Sequence, residues 1–177
     1  MEKKVQEDWC QKFISHVISR MENDKAMGAR LRRADNPATE YQSWEYLAPF
    51  GVDLEYTRER KAFATVAAAL ARAKPKGDGA HGIGRAIASV YDNGKDNPQA
   101  KARLRRLLAC TSSEEACDIL RPLLRLVASK GAALCYTRLL RDLLYFSERT
   151  RERWAQDFFS TVVSETLVSD TLTSEEE

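Results

Sequence analysis

The chain has 177 residues, 44% of them hydrophobic, which excludes wholesale disorder and suits one domain or two small lobes around a real core. Its 28 Lys and Arg against 26 Asp and Glu give a net charge of only +2, but all 28 bases lie at or before Arg153. That body carries 20 acids and a net +8, whereas Asp157, Glu165, Asp170, Glu175, Glu176 and Glu177 follow with no base, so a polyanion partner is suggested.

The aliphatic residues point to an all-α fold. Ala (23) and Leu (18) far outnumber Val (9) and Ile (5), and the first pair loses less on entering a helix. We expect a compact bundle of about eight helices over residues 1–165, with a candidate lobe boundary at 92–98. Residues 166–177 read as an acidic, disordered tail. The first helix is expected at 4–22, where Val5, Trp9, Phe13, Val17 and Met21 recur every four residues. A polar segment with Gly28 and the cluster Ala29–Arg33 (ARLRR) follows. Asn36-Pro37 reads as a cap opening a helix that carries Tyr41, Trp44, Tyr46 and Leu47 and stops near Gly51.

A long helix is expected over 55–74, with Phe63, Val66, Ala67, Leu70 and Ala73 on its apolar face. The loop Lys74–Gly79 after it reads as mobile. A short helix at 83–91 and the polar loop 92–97 come next. Asn97-Pro98 caps a helix over 98–110, with Leu104 and Leu107 inward and Arg105 and Arg106 outward. Ser112-x-x-Glu115 is a capping box, and Pro122 is expected to kink or split the helix it opens. Helices at 132–146 and 148–163 complete the series, the last capped by Ser147 with Trp154, Phe158 and Val162 on one face.

The side-chain inventory argues against catalysis. Only His16 and His81 could serve as a histidine base, one on the first helix and one in a glycine-rich loop. Carboxylates are scattered, so neither a metal site nor a cofactor is expected. Cys10, Cys110, Cys117 and Cys135 form no C-x-x-C pair and read as reduced core thiols. Gly79, Gly82 and Gly84 imitate a phosphate loop without its strand, although amides at that helix start, followed by Arg85, could hold one phosphate of a polymer. The longest apolar run, Val66–Ala71, is six residues, far short of the ~20 that span a bilayer. The N-terminal MEKKVQEDWC lacks an apolar leader segment, so a cytoplasmic protein without membrane contact is expected.

The positive signal is arginine, 18 residues against 10 Lys. Arginine is the better fork for phosphate. The groups are Arg30, Arg32 and Arg33; Arg58, Arg60 and Lys61; Arg103, Arg105 and Arg106; Arg138 and Arg141; and Arg149, Arg151 and Arg153. Around Lys101, Arg103, Arg105 and Arg106 no acid lies within four positions on either side, so ordinary in-helix salt bridges do not account for them.

In order and spacing the chain resembles the CasB family, the small subunit of the type I-E CRISPR effector complex, Cascade. The resemblance rests on ARLRR at 29–33, LAPFG at 47–51, GRAIA at 84–88, the segment Arg103–Leu108 and RTRERWAQDFF at 149–159, within roughly residues 5–160. Pro122 and the acidic tail fall outside that pattern. The resemblance implies a non-catalytic all-α subunit that packs with a second copy of itself beside the large subunit and the backbone subunits. It implies contact with crRNA and target DNA, and retention of the displaced strand of the R-loop. The family's basic surface would fall on Arg32 or Arg33, on Arg58 and on Arg149; the charge pattern adds Arg85, Arg105, Arg106 and Arg151. A helical assembly adaptor, whose basic faces meet acidic protein surfaces, is the competing expectation. A small helical nuclease would need a carboxylate cluster that the sequence does not display.

Overall fold

The computed structural model describes residues 2–160, with side chains from Trp9 onward. Val162 and the expected acidic tail at 166–177 lie outside the described residues. Within them the fold is all-α, as the aliphatic composition implies. The helices are α1 (Glu2–Asn23), α2 (Lys25–Arg33), α3 (Trp44–Leu47), α4 (Thr57–Ala73), α5 (Ile83–Ser89), α6 (Pro98–Leu108), α7 (Ser113–Ser129), α8 (Tyr136–Leu144) and α9 (Glu148–Phe159). Short 3-10 turns occupy Pro37–Ser43, Ala48–Phe50 and Gly94–Asp96.

Helix α4 is the centre of the molecule. It packs against α1, α2, α7 and α8, and every residue from Ala62 to Ala71 is buried. The sequence predicts one apolar face there, yet the whole circumference is covered. Six alanines in that stretch let neighbours approach from all sides. Trp9 and Phe13 of α1 close one end: the Trp9 indole donates to the Phe50 carbonyl at 2.7 Å, and Phe13 meets Phe50 and Phe63 edge-on. Gly51, at φ +76°, ends this LAPFG turn in the left-handed region that glycine tolerates.

Several local expectations need correction. The ARLRR cluster is helical, because Asp24 caps α2 directly behind α1 and accepts the Met27 amide at 2.8 Å. The Asn36 cap forms, but it opens a 3-10 turn and the four-residue α3 instead of one helix. Pro122 does not split its helix: α7 runs from Ser113 to Ser129, capped by Ser112 Oγ on the Glu115 amide at 3.1 Å. Ser147 occupies the cap of α9, but its hydroxyl meets Thr150 Oγ1 and no backbone amide.

The loop after α4 is pinned where mobility was expected. Gly79 and His81 donate to Leu134 and Ala133 carbonyls at 3.0 and 2.9 Å, and Cys135 donates back to His81 at 2.8 Å. This pairing delays α8 to Tyr136, four residues later than periodicity suggests. The Asp78 carboxylate then accepts the Tyr136 and Thr137 amides at 2.6 and 3.1 Å, capping α8 from 58 residues upstream. Next to it, α5 lies directly on α9. A Cβ on Gly84 would overlap the Trp154 carbonyl oxygen, and one on Gly82 would overlap the Asp157 carboxylate. These two glycines therefore set the separation of α5 and α9.

Candidate nucleic-acid interface

The arginines divide into two populations according to what their guanidinium groups touch. The first is tied to two carboxylates, Asp35 and Glu40. Asp35 receives Arg72 at 3.3 Å and Arg125 at 2.5 Å, and its carbonyl accepts Arg121 at 2.8 Å. Glu40, 8% exposed, receives Arg60 at 3.0 Å and Arg121, itself 5% exposed, at 3.5 Å. Arg60 also lies over the Trp44 ring at 5.7 Å. Charge here fastens α2 and the 3-10 turn to α4 and α7. Arg30 is likewise engaged, with Glu45 and the Tyr46 hydroxyl, and these two bonds with the Glu45 charge push its pKa up.

The second population has no carboxylate partner among the described residues. On α6, Ala100, Leu104 and Leu107 are buried while Arg103, Arg105 and Arg106 are exposed, as the 100° spacing requires. Lys101, read from sequence as lacking an acid, sits 3.9 Å from Asp96. Arg85 projects exposed from α5, and Arg33 is exposed on α2 with one bond to the Gln42 side chain at 3.2 Å. Arg58, at the start of α4, is half-buried and its Nε donor finds no acceptor.

Two of the sequence-predicted arginines hold helix ends. Arg32 donates to the Ala71 carbonyl near the end of α4 at 3.2 Å, and Arg151 donates to Leu108, the last residue of α6, at 3.3 Å. Cations there satisfy carbonyls that lack helical partners. Arg32 still lines a groove of about 450 Å³ with Lys25, Lys74 and Lys76, so four cations face one concavity that also holds Glu22.

At the start of α5, where the sequence left room for one phosphate, the protein places its own carboxylate. The Arg85 amide donates to the Asp157 carboxylate at 3.0 Å, so the helix end already holds an anion. His16 is exposed beside Phe50. Cys10 and Cys117 are buried, and burial pushes their thiols up to about 11 and about 12; the Arg141 charge partly opposes this at Cys10. Among the described residues no group of three or more His, Cys, Asp or Glu is placed to hold a metal ion, and no helix is long and apolar enough to cross a membrane.

The RTRER segment faces two ways. Arg149 and Arg153 are four residues apart and line a cleft of about 730 Å³ with Arg138 and Arg141 of α8. Arg151 points to α6 instead. Both acids of that cleft are occupied. Asp142, 5% exposed, accepts the Trp154 indole at 2.7 Å and Arg153 at 2.6 Å, while Asp78 caps α8. Arg138, Arg141 and Arg149 make no ion pair among the described residues, and the Arg141 Nε donor is shielded from solvent without an acceptor. The sequence-predicted set therefore falls into separate places: Arg149 in this cleft, Arg105 and Arg106 on α6, Arg32 in the lysine-lined groove. Arg138 and Arg141 join Arg149 although the sequence reading left them out of the site. Their three-residue spacing on α8, against the four-residue spacing on α9, was the available signal.

A family model described as CRISPR-associated protein Cse2 matches residues 28–159. Among solved structures, a chain of a CRISPR RNA-guided surveillance complex superposes with a TM-score of 0.74 at 23% identity, over 93% of this chain and 98% of that one. CasB from Thermobifida fusca superposes with a TM-score of 0.64 at 17% identity, over 85% of this chain and 97% of that one. At these identities the superpositions establish a shared fold. No curated protein matches the sequence.

Proposed function

The chain belongs to the family of CRISPR-associated protein Cse2, and we propose that it is a non-catalytic small subunit of a type I-E CRISPR surveillance complex. In that role it stabilises the R-loop by holding nucleic-acid backbone, chiefly the displaced non-target strand. The observation that carries this reading is the set of exposed arginines without a carboxylate partner among the described residues, Arg85, Arg105, Arg106 and Arg149. Arg33 and Arg58 add to it, and Arg32 and Arg151 would contribute their remaining donors.

The chemistry suits a displaced strand. Such a strand presents regularly spaced phosphates and no fixed sequence, which forked cations bind without reading bases. Exchange of a DNA duplex for a guide heteroduplex is nearly balanced in energy. A subunit that captures the released strand shifts that balance by mass action toward the open loop. Its partners would be the large subunit, the backbone subunits, crRNA, target DNA and a second copy of the chain.

The test is the lifetime of the R-loop in the assembled complex carrying Arg33→Ala, Arg58→Ala and Arg149→Ala together. The lifetime is expected to shorten while the subunit's unfolding curve stays in place. An unchanged lifetime would overturn the reading. The adaptor alternative has its own observation: Tyr41, Trp44 and Tyr56 expose large rings, and Arg60 lies over Trp44, residue types that suit a protein contact. Lack of binding to single-stranded DNA by the isolated chain at low salt would favour it.

A further inference from the structure

The α8–α9 cleft has more positive charge than its own residues use. Asp142 and Asp78 are consumed by Trp154, Arg153 and the α8 amides, which leaves Arg138, Arg141 and Arg149 in a cleft of about 730 Å³ without an ion pair among the described residues. The chain itself carries the complementary charge. Residues 161–177 hold Glu165, Asp170, Glu175, Glu176 and Glu177 and no Lys, Arg or His.

The lengths match. Helix α9 ends at Phe159, and at ~1.5 Å per residue its end lies roughly 15 Å from the level of Arg149. Residues 161–177 can extend up to ~56 Å at ~3.3 Å per residue, well beyond that distance. A segment tethered at that range is presented at about millimolar effective concentration. Weak pairwise attraction between carboxylates and arginines is then sufficient for substantial occupancy.

We propose that the acidic segment 161–177 docks in the α8–α9 cleft, its carboxylates on Arg138, Arg141 and Arg149, so that it competes with nucleic-acid phosphates for that site. The docking itself rests on charge and geometry; the competition rests on the nucleic-acid reading above. In the free subunit the segment screens the cleft, and a polyanion with many phosphates displaces it. This makes binding selective for extended polymers over single phosphates, since only a polymer gains enough contacts to replace several carboxylates.

The experiment uses the full chain with its own segment neutralised by Glu165→Gln, Asp170→Asn, Glu175→Gln, Glu176→Gln and Glu177→Gln. A fluorescein-labelled peptide of residues 161–177 is titrated with this protein, and anisotropy is read at graded salt. Binding is expected, weakening as salt rises and falling about tenfold when Arg149→Ala is added, with a further loss for Arg138→Ala. Arg149 is exposed, so its variant keeps the test valid if Arg138→Ala perturbs the fold. Absence of peptide binding at low salt overturns the proposal, as does binding that neither arginine variant weakens. In parallel, the neutralised chain is expected to bind oligothymidine about 3–10-fold more tightly than the parent, the gain expected when a tethered competitor at millimolar effective concentration is removed. DNA binding by neither protein would refute the nucleic-acid reading and leave the peptide result as support for docking; equal DNA affinity of the two would refute the competition.

Discussion

The belt of α2, α4 and α7 and the rim of α6, α8 and α9 are both rich in arginine, yet they use it in opposite ways. In the belt, Asp35 and Glu40 gather Arg60, Arg72, Arg121 and Arg125 into a partly buried network. In the rim, Arg103, Arg105, Arg106, Arg138, Arg141 and Arg149 meet no carboxylate partner among the described residues. The difference is not in the arginines but in two acids on one polar segment. A guanidinium with a buried carboxylate is a fastener, and one without is available to a ligand. Arginine count is therefore a poor guide to a binding face until the acids have been placed.

The largest effect should come from breaking the belt. Glu40→Ala strands the Arg121 guanidinium in the interior, and loss of one partner of a buried pair typically costs about 3–5 kcal/mol. Urea unfolding is expected to show that loss; a change below about 1 kcal/mol would mean that the belt does not fasten the fold. Next comes Gly84→Ala, whose added methyl overlaps the Trp154 carbonyl and forces α5 off α9. Overpacking of this kind costs about 1–3 kcal/mol, and thermal unfolding would record it. Arg149→Ala should leave stability within about 0.5 kcal/mol, as for exposed surface changes. The same variant should lower the salt dependence of DNA binding by about one phosphate contact. Equal stability losses for Glu40→Ala and Arg149→Ala would erase the distinction between belt and rim.

The smallest effect concerns two thiols that report on the regions separately. Cys117 is influenced by the belt's Arg121 and Lys61, and Cys10 by the rim's Arg141. Their folded pKa values, about 12 and about 11, exceed the ordinary 9.0, so both stay protonated where the unfolded chain would ionise. The stability they confer is full below pH 9 and declines as pH climbs toward those values. Cys117→Ala should flatten the alkaline limb of the stability curve more than Cys10→Ala, because its shift is larger.

The rim was partly legible in the sequence because helical periodicity is local. Leu104 and Leu107 inward forces Arg105 and Arg106 outward, and no distant contact alters that. The two faces of RTRER follow from the same arithmetic, since Arg149 and Arg151 lie about 200° apart on a helix. What periodicity cannot supply is a partner far along the chain. Arg121 reads like Arg106 until Glu40, 81 residues earlier, is placed beside it. The start of α8 depends on Asp78 in the same way, and the start of α5 on Asp157, 72 residues later than Arg85, whose carboxylate fills that helix end. Helix α2 was missed for a local reason: a one-residue junction capped by Asp24 looks like continued polar linker when Gly28 follows.

The most direct test of the rim as a nucleic-acid surface is the salt dependence of oligothymidine binding by the isolated chain, compared with the same chain carrying Arg105→Ala, Arg106→Ala and Arg149→Ala. Each lost phosphate contact to a single strand lowers the slope of log affinity against log salt by about 0.7, so a fall of about 2 is expected for the triple variant. The same affinity and the same slope for both proteins would contradict the account.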